Sequence, residues 1–400
     1  MVTSTFPVDM IKDCPACGRP GAEVFFSLRG VPVHGAAVCE TPEQAQALPR
    51  GDQLLAVCGG CGFVFNSAFL PNLLDYGGLH AESQSFSPTF RAYAEELASE
   101  WVERWSLANT TVIEIGCGGR GDFLRVLTDA GVGRAHGVDP GLCVDMLGDS
   151  PRVTGERALF APSELSRAAS AIICRHTLEH VPQPFDFLST TMASVDPQQC
   201  RALLFEVPDF DRVLEEGAFW DLHYEHCSNF TAVSLLSLFH SARLDVVNLR
   251  RVYRDQYLVI EADPNHRRTH RSELLAIDSV QQLIFCCRAF SQKASGRLLH
   301  WRRWLDEQKH RSREVVVWGG GSKGSLFLNA LKDSTVKRVV DVNPGLQGRY
   351  LAGTGTPILS PAALRSAPPR TVLLMNPIYE DEVRQTLDGL GLGKVDLLTI

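Results

Sequence analysis

The spacing of hydrophobic residues divides the chain into strands and helices. Short apolar runs, such as TVIEIG (111–116) and SAIIC (170–174), predict buried strands. Apolar residues three and four positions apart in FRAYAEELASEWVERWSL (90–107) predict a helix. Residues 62–90 are rich in serine and glycine and then interrupted by prolines, which predicts a connecting loop. Strands that alternate with helices indicate an α/β fold.

Two parts of the chain predict a strand followed by a glycine turn and a helix. The one nearer the end of the chain is EVVVWGGGSKGSLFLNAL (314–331), and a second strand there ends in Asp341. TVLLMNP (371–377) predicts a further buried strand, and residues 266–310 have a long helical pattern. This part predicts a small doubly wound α/β unit whose turn, with Lys323, suits an anion such as a pyrophosphate. A degenerate unit that only packs is the alternative.

Composition and charge narrow the functional classes. Hydrophobic residues make up 44% of the 400 residues and charged residues 21%, which is typical of globular proteins. The net charge is −7 and no long Lys/Arg run occurs, so we expect no nucleic-acid partner. The chain has no long apolar stretch and no pattern of a secretory signal, so we expect a cytoplasmic protein without a membrane partner.

Four of the twelve cysteines form two C-x-x-C pairs, Cys14 with Cys17 and Cys58 with Cys61. Four thiolates can surround one tetrahedral zinc ion, and a glycine follows the second cysteine of each pair, as a tight turn requires. We therefore predict a structural zinc ion that stabilises a small β domain. Free thiols or a redox C-x-x-C pair are the alternatives.

The first glycine turn, EIGCGGRGDFLRVL (114–127), contains the cofactor candidates. A strand ends at Gly116, and the chain turns through Gly118 and Gly121 into a helix whose N-terminus favours polar ligand groups. The next strand ends in Asp139, which is placed to accept hydrogen bonds from two ribose hydroxyls. The three glycines also match G-x-G-x-x-G, so this pattern alone does not separate a nicotinamide cofactor from another nucleoside.

The residues around this turn resemble those of class I S-adenosylmethionine (SAM) methyltransferases. VIEIGCG (112–118) is similar to motif I of these enzymes, in which an acid, here Glu114, stands two residues before the first glycine. SAIICRHTLEHVPQPFDFL (170–188) resembles their fourth strand and following helix. Their turn usually reads G-x-G-x-G, one residue shorter than here. The resemblance implies SAM as the cofactor, with Glu114, Gly116, Gly118, Gly121, Asp139 and His176 as candidate binding residues.

His176 and His180 are four residues apart and could share a metal ion on one helical face. No third ligand is evident near them in the sequence, and no H-E-x-x-H motif is present. We therefore interpret His176 as a polar residue at the end of a strand and His180 as part of a helix-cap region, rather than as metal ligands.

The stretch HYEHCSNF (223–230) lies between a fifth strand, which ends near Pro208, and a helix capped by Thr231. This location corresponds to the carboxyl edge of the sheet, where ligands bind in open α/β folds. Because the cysteines already supply a complete zinc site, we predict a catalytic loop here rather than a metal site.

The order of these motifs resembles the zinc-containing sugar C-methyltransferases of antibiotic deoxysugar pathways. In that family the loop reads roughly Y-H-E-H-x-x-Y-F, so Glu225, His226 and Phe230 match in place. His223 occupies a tyrosine position of the family, and Asn229 replaces another tyrosine. GGGSKGSLFLN (319–329) and VDVNPGLQGRYLAGTGTPI (340–358) also resemble family segments. The family methylates a carbon next to the ketone of a nucleotide-linked 4-keto sugar.

This resemblance implies a central class I SAM methyltransferase core, Rossmann-like with a seven-stranded sheet. A small N-terminal zinc domain and a C-terminal doubly wound α/β domain flank the core. The predicted parts are a zinc-binding domain and linker (1–85), the methyltransferase core (86–265), a helical connector (266–310) and a Rossmann-like domain (311–400). The oligomeric state is not predicted.

Methyl transfer to carbon requires an enolate, so a base must remove an α-proton while other groups stabilise the oxyanion. Histidine titrates near neutral pH, and we predict His226 as the base. Glu225 is expected to orient it or to hold a substrate hydroxyl; a direct contact between these neighbours requires the loop to bend. Tyr224, His223 and Tyr76 are candidate donors to the enolate oxygen.

The expected substrate is a small molecule, such as a nucleotide-linked keto sugar, with Lys323 and Asn229 as candidate binding residues. An O- or N-methyltransferase of a small natural product is the first alternative, because it needs no carbanion. An NAD(P)-dependent oxidoreductase and a zinc-bearing binding module without catalysis also remain.

Overall fold

The computed structural model describes residues 13–74, 84–267, 277–332 and 335–400. These residues form three sheets and the helices around them. The strands are β1 (Glu23–Pro32), β2 (Arg50–Val57), β3 (Val64–Asn66), β4 (Thr111–Ile115), β5 (Arg134–Val138), β6 (Val153–Glu156), β7 (Ala171–Arg175), β8 (Ala202–Pro208), β9 (Ser228–Asn229), β10 (Leu244–Val252), β11 (Tyr257–Arg267), β12 (Val315–Trp318), β13 (Val339–Val340), β14 (Ile358–Leu359), β15 (Thr371–Leu374) and β16 (Asp396–Thr399). The α-helices are α1 (Pro42–Ala47), α2 (Pro88–Arg104), α3 (Asp122–Asp129), α4 (Glu164–Ala168), α5 (Pro184–Ser194), α6 (Phe210–Glu216), α7 (Ala232–Ser241), α8 (Ile277–His310), α9 (Ser322–Leu331) and α10 (Glu380–Gly389).

The central sheet has seven strands in the order β10-β11-β8-β7-β4-β5-β6. Strand β11 runs antiparallel to both of its neighbours, whereas the other pairs are parallel. All five residues of β7 are buried, as expected for a strand with helices on both faces of its sheet. This mixed sheet confirms the predicted class I methyltransferase core. The predicted Thr231 cap is also confirmed, because its side chain accepts a hydrogen bond from Ser234 N.

A second sheet is antiparallel, in the order β1-β2-β3-β9. The prediction of a connecting loop over residues 62–90 is wrong at β3, because Val64–Asn66 is a fully buried strand. Strand β3 pairs on one side with β2 and on the other with β9, which belongs to the HYEHCSNF stretch. The sheet that begins near the cysteines is therefore completed by a segment more than a hundred residues further along the chain.

The third sheet has five parallel strands in the order β14-β13-β12-β15-β16. The helical pattern before it is one 34-residue helix, α8, within the described residues. Phe290, Trp301 and Leu305 of α8 are buried in an apolar cluster that also contains Phe26 of β1 and Phe327 of α9. This helix therefore joins the first and third sheets through one core. Among the described helices, none combines the length and apolar content that crossing a membrane requires.

Candidate active site and zinc centre

The four predicted metal ligands lie together. The Sγ atoms of Cys14 and Cys61 are 3.6 Å apart, and so are those of Cys17 and Cys58. A tetrahedral zinc ion with Zn–S bonds of about 2.3 Å requires sulfur atoms about 3.8 Å apart, so these four cysteines fit the ion. The Gly60 N–H donates to Cys58 Sγ over 3.3 Å, which stabilises a thiolate there.

The two cysteine pairs have the same backbone turn. Gly18 N–H donates to Cys14 O over 2.8 Å, and Gly62 N–H donates to Cys58 O over 3.0 Å. Both glycines have left-handed conformations, with φ values of 70° and 74°. A side chain would be strained at either position, which explains the glycine after each pair.

A cavity of about 1020 Å³ lies between the central sheet and the third sheet. Three segments line it: the first glycine turn (116–121), the HYEH stretch (223–226), which we call the histidine turn, and the second glycine turn (319–324). The predicted site residues at its wall are Glu114, Gly116, Gly118, Gly121, His176, His223, Glu225, His226, Asn229 and Lys323. Asp139 and Tyr224 are not among its lining residues. Tyr76 lies outside the described residues.

The first glycine turn is fixed by hydrogen bonds to the strand beside it. Gly116 N–H donates to Val138 O over 2.8 Å, and Gly118 N–H donates to Asp139 Oδ2 over 2.9 Å. Gly116 has a φ of 73°, and a Cβ at this position would lie 1.9 Å from Thr177 Oγ1. The turn therefore needs glycine at Gly116 for conformation and for space.

Glu114 is a buried acid directly below this turn. Its side chain is 2% exposed near the end of β4, and its Oε2 has no hydrogen-bond partner among the described atoms. Burial raises the pKa of Glu114 to about 8. A cationic ligand group beside this carboxyl would offset the cost of its burial.

His176 belongs to an ion-pair network at the ends of β7 and β8. Its Nε2 lies 2.6 Å from Glu206 Oε1, and Arg175 donates to the same oxygen over 2.9 Å. The Tyr93 hydroxyl donates to the other oxygen of Glu206. Burial would lower the pKa of His176, but the carboxylates of Glu206 and Glu179 outweigh it and raise the pKa to about 9. The charged side chains at this part of the cavity wall are therefore paired with one another.

The HYEH stretch bends sharply, which brings its two histidines together. His226 N–H donates to His223 O over 3.1 Å, closing a turn across the four residues. The ring centroids of His223 and His226 are 4.9 Å apart, and those of His180 and His226 are 4.8 Å apart. The two histidines of this stretch and His180 therefore form a group of three at the cavity.

The second sheet holds this turn in place. Gln53 Nε2 of β2 donates to His223 O over 2.5 Å, and Asn66 N–H of β3 donates to Cys227 O over 3.0 Å. On the other side, the Ser228 hydroxyl donates to Val181 O over 2.7 Å. The turn is therefore anchored both to the sheet beside the cysteines and to the segment after β7.

Glu225 contacts a residue that sequence reasoning did not identify. Its Oε1 lies 3.0 Å from His34 Nδ1, and both side chains are buried. A single histidine near the end of β1 carries no motif that would have marked it. The sequence favours His180 as part of a helix-cap region rather than as a metal ligand with His176, although its position after β7, at the carboxyl edge of the sheet, also indicates a site residue.

Tyr224 points away from the cavity. Its ring packs over Gly51, where an added Cβ would lie 2.1 Å from the ring, and its hydroxyl accepts a hydrogen bond from Leu70 N–H over 2.9 Å. The side chain is 1% exposed within an apolar cluster. The expectation that Tyr224 donates to a substrate oxygen is therefore wrong, because the tight turn directs it into the core. Asn229 lies in β9, where its Nδ2 donates to His226 O over 3.4 Å.

Burial keeps the two loop histidines neutral. It lowers the pKa of His223 to about 4 and, together with the nearby His180 and His223, lowers the pKa of His226 well below its ordinary value. A neutral imidazole has one nitrogen lone pair that can accept a proton.

Lys323 connects the second glycine turn to the loop. Its Nζ lies 2.6 Å from Asp221 Oδ1, while Arg212 donates to Asp221 Oδ2 over 2.5 Å. Burial would raise the pKa of Asp221, but Lys323 and Arg212 hold it well below its usual range. Asp221 Oδ1 is also 3.8 Å from His223 Nε2. Sequence reasoning identified Lys323 but not its carboxylate partner.

The chain matches two known domain families. Residues 90–249 match the family described as a methyltransferase domain, and residues 277–393 match the C-methyltransferase C-terminal domain. The C-methyltransferase NovU of Streptomyces niveus is 26% identical over 308 residues, which are 73% of this chain and 72% of NovU. Together with the four-cysteine cluster, these matches agree with the predicted resemblance.

Solved methyltransferase structures match less than half of the chain. A putative methyltransferase of Haloferax volcanii, solved with its Trm112 activator, is 16% identical with a TM-score of 0.34 and covers 46% of this chain and 98% of that chain. The magnesium protoporphyrin IX methyltransferase of Synechocystis PCC 6803 is 15% identical with a TM-score of 0.33, covering 44% of this chain and 83% of that chain.

Proposed function

We propose that this chain, a SAM-dependent methyltransferase that carries a C-methyltransferase C-terminal domain, methylates a carbon next to a ketone. The proposed acceptor is a nucleotide-linked keto sugar or a related natural-product intermediate. The observation that carries the proposal is the shared cavity: the first glycine turn, the histidine turn and the second glycine turn line the same space. A cofactor and an acceptor with a phosphate-bearing part can therefore meet at the histidines.

The histidines account for the acid–base chemistry. Carbon methylation requires removal of an α-proton, and His226 at the cavity wall is the proposed base. His223 and His180, with rings within 5 Å of His226 in both cases, are the proposed donors to the developing enolate oxygen. SAM supplies an electrophilic methyl group, so the remaining task of the protein is to align the enolate carbon with it.

Glu225 is proposed to hold a substrate hydroxyl or to fix the turn through His34. Its Oε1 lies 3.0 Å from Nδ1 of His34, which follows strand β1 of the second sheet.

The second glycine turn is proposed to receive the phosphates of the acceptor. Helix α9 begins at Ser322, and the N-terminus of a helix favours anions. Lys323 in its first turn is the candidate cation, and its ion pair with Asp221 keeps it at the cavity. The diphosphate of a nucleotide-linked sugar has the charge that this arrangement suits.

The four cysteines are proposed to hold a structural zinc ion, because all four ligand positions of a tetrahedral ion are protein sulfurs. Such an ion would stabilise the sheet that supports the histidine turn. The residues of the cavity, rather than this ion, would carry out methyl transfer.

Methylation of an oxygen or nitrogen atom is the second candidate, because the replacement of two family tyrosines by His223 and Asn229 alters the acceptor side of the loop. A heteroatom acceptor has a lone pair and needs no carbanion, so loss of the base would have a smaller effect on its rate.

The His226→Ala variant tests the proposed base. We expect binding of S-adenosylhomocysteine, measured by calorimetry, to change less than about threefold, while turnover with labelled SAM falls by about 100-fold or more. His300→Ala, on helix α8, is the matched control and should keep full turnover. Turnover within about tenfold of the unmodified chain would remove His226 as the base and favour a heteroatom acceptor.

A further inference from the structure

A second group of metal-ligand side chains lies at the cavity, apart from the four cysteines. Glu179 and His180 end a short 3-10 helix (Leu178–His180) after β7, and His226 belongs to the histidine turn. One ligand atom of each of these three residues lies within 4.8 Å of the other two. Two imidazoles and one carboxylate form the 2-His-1-carboxylate set, which binds divalent first-row metal ions and leaves further positions open.

Hydrogen bonds hold the two segments that carry these side chains against each other. The Cys227 thiol donates to Glu179 O over 3.7 Å, and the Ser228 hydroxyl donates to Val181 O over 2.7 Å. A metal ion at about 2.1 Å from each ligand needs ligand atoms about 3 to 3.5 Å apart. The ligand atoms therefore need to approach one another by at most about 1.3 to 1.8 Å, on segments that hydrogen bonds already hold together.

The Glu179 carboxylate is independent evidence for a cation. The side chain lines the cavity but is 2% exposed. Its Oε1 lies 3.7 Å from His176 Nδ1, whereas its Oε2 has no hydrogen-bond partner within the part of the chain that the structure describes. A buried carboxylate oxygen without a partner is costly, and a cation bound beside it would remove that cost.

We propose that Glu179, His180 and His226 form a second metal site, for ions such as Zn²⁺ or Co²⁺, and that an ion bound there inhibits methyl transfer. Imidazole ligands favour these ions over Mg²⁺. A neutral imidazole has a single nitrogen lone pair, so His226 cannot bind a metal ion and accept a proton at once. The metal site stands without the proposed function, whereas the inhibition rests on His226 being the base.

Equilibrium dialysis of the zinc-loaded full chain against Co²⁺ tests the site. The unmodified chain should bind one further equivalent, and Glu179→Gln should bind it at least about tenfold more weakly. His180→Gln removes a second ligand and should have the same effect. Glu103→Gln, an exposed carboxylate on α2, is the control and should match the unmodified chain. The near-ultraviolet spectrum identifies cobalt that has entered the cysteine site instead, because thiolate ligands give a strong charge-transfer band there and imidazole and carboxylate ligands do not.

Inhibition is measured separately, by adding Zn²⁺ during turnover and reversing its effect with a chelator. Glu179→Gln should raise the concentration for half-inhibition by at least about tenfold. Absence of this further equivalent of cobalt, or binding by both ligand variants as tight as that of the unmodified chain, would overturn the site. Cobalt binding without inhibition would overturn the competition with the base. If no methyl acceptor were found, the dialysis would still decide the metal site on its own.

Discussion

The two glycine turns share a backbone design but differ in charge. In the first, Gly116 N–H donates to Val138 O and Gly118 N–H donates to the carboxylate of Asp139, which follows that strand. In the second, Gly319 N–H donates to Val340 O over 2.8 Å, and Gly320 N–H donates to Asp341 Oδ2 over 2.6 Å. The backbone of a nucleotide-binding turn therefore occurs twice in one chain.

The side chains around these turns differ. The first has the buried acid Glu114 two residues before its first glycine, where the second has the apolar Val317. The second carries Lys323, which the first lacks at its helix start. One turn therefore suits a cation, such as the sulfonium and amino groups of SAM, and the other suits an anion. The comparison teaches that two turns with the same backbone hydrogen bonds can carry side chains of opposite charge, and the side chains therefore distinguish their proposed ligands.

Removing two of the proposed zinc ligands tests how the histidine turn is supported. In a Cys58→Ser, Cys61→Ser variant the second sheet would lose the proposed ion, and with it the support of the histidine turn through β3 and β9. We expect turnover to fall by at least about 100-fold, with S-adenosylhomocysteine affinity within about threefold. Turnover and calorimetry measure this, with Cys286→Ser as the control. Unchanged turnover in metal-free protein would contradict the support through this sheet.

Alanine substitutions distinguish the two reasons for glycine in the turns. A Cβ at Gly324 would lie 2.0 Å from Gly319 O, a backbone atom that cannot rotate away. We expect Gly324→Ala to cost about 4 kcal/mol of unfolding free energy. Gly118 has open space around it but a φ of 70°, so Gly118→Ala should cost only about 1 to 2 kcal/mol. Denaturant unfolding measures both, and equal costs would show that the second turn rearranges freely.

Substitutions that remove the charged side chain of each turn test whether the two turns bind separate ligands. Glu114→Gln should weaken SAM binding about tenfold through a lost charged hydrogen bond and leave the KM of the acceptor unchanged. Lys323→Met should do the opposite, raising the acceptor KM about tenfold with SAM affinity unchanged. Lys323→Arg keeps the charge and should restore most of the loss. If either variant changed both affinities equally, the two turns would not bind separate ligands.

The pH dependence of stability provides a further test of the first turn. The pKa of Glu114 rises from 4.5 to about 8 on folding without ligand. The protonated carboxyl therefore contributes stability that is fully present below the unfolded pKa and is lost as the pH rises through the folded pKa. The melting temperature of the unmodified chain should fall relative to Glu114→Gln between about pH 4.5 and about pH 8. A constant difference between the two over this range would mean that folding does not raise the pKa of Glu114.

The regular parts of the fold were predictable because their signals are local. The C-x-x-C pairs, the two glycine turns and the Thr231 cap each lie within a few residues. Their neighbours in the sheets also follow from the known order of a class I core. Strand β3 was not predicted, because it is short and its partner Ser228–Asn229 is distant in the sequence.

The site was predictable only where one segment carries the chemistry. The HYEH stretch and Lys323 could be identified from the sequence, but their partners His34 and Asp221 come from packing between segments. Tyr224 was misplaced because a turn, rather than an extended strand, sets the direction of each side chain there.

The position of the transferred methyl group tests the account most directly. The chain is incubated with SAM carrying a ¹³C-methyl group and with nucleotide-linked 4-keto sugars labelled with ¹³C in the ring, and the product is examined by NMR. The account predicts a methyl signal with a one-bond carbon–carbon coupling to the ring carbon next to the ketone, absent with His226→Ala. A methyl signal without that coupling would show transfer to oxygen or nitrogen and would contradict the enolate mechanism.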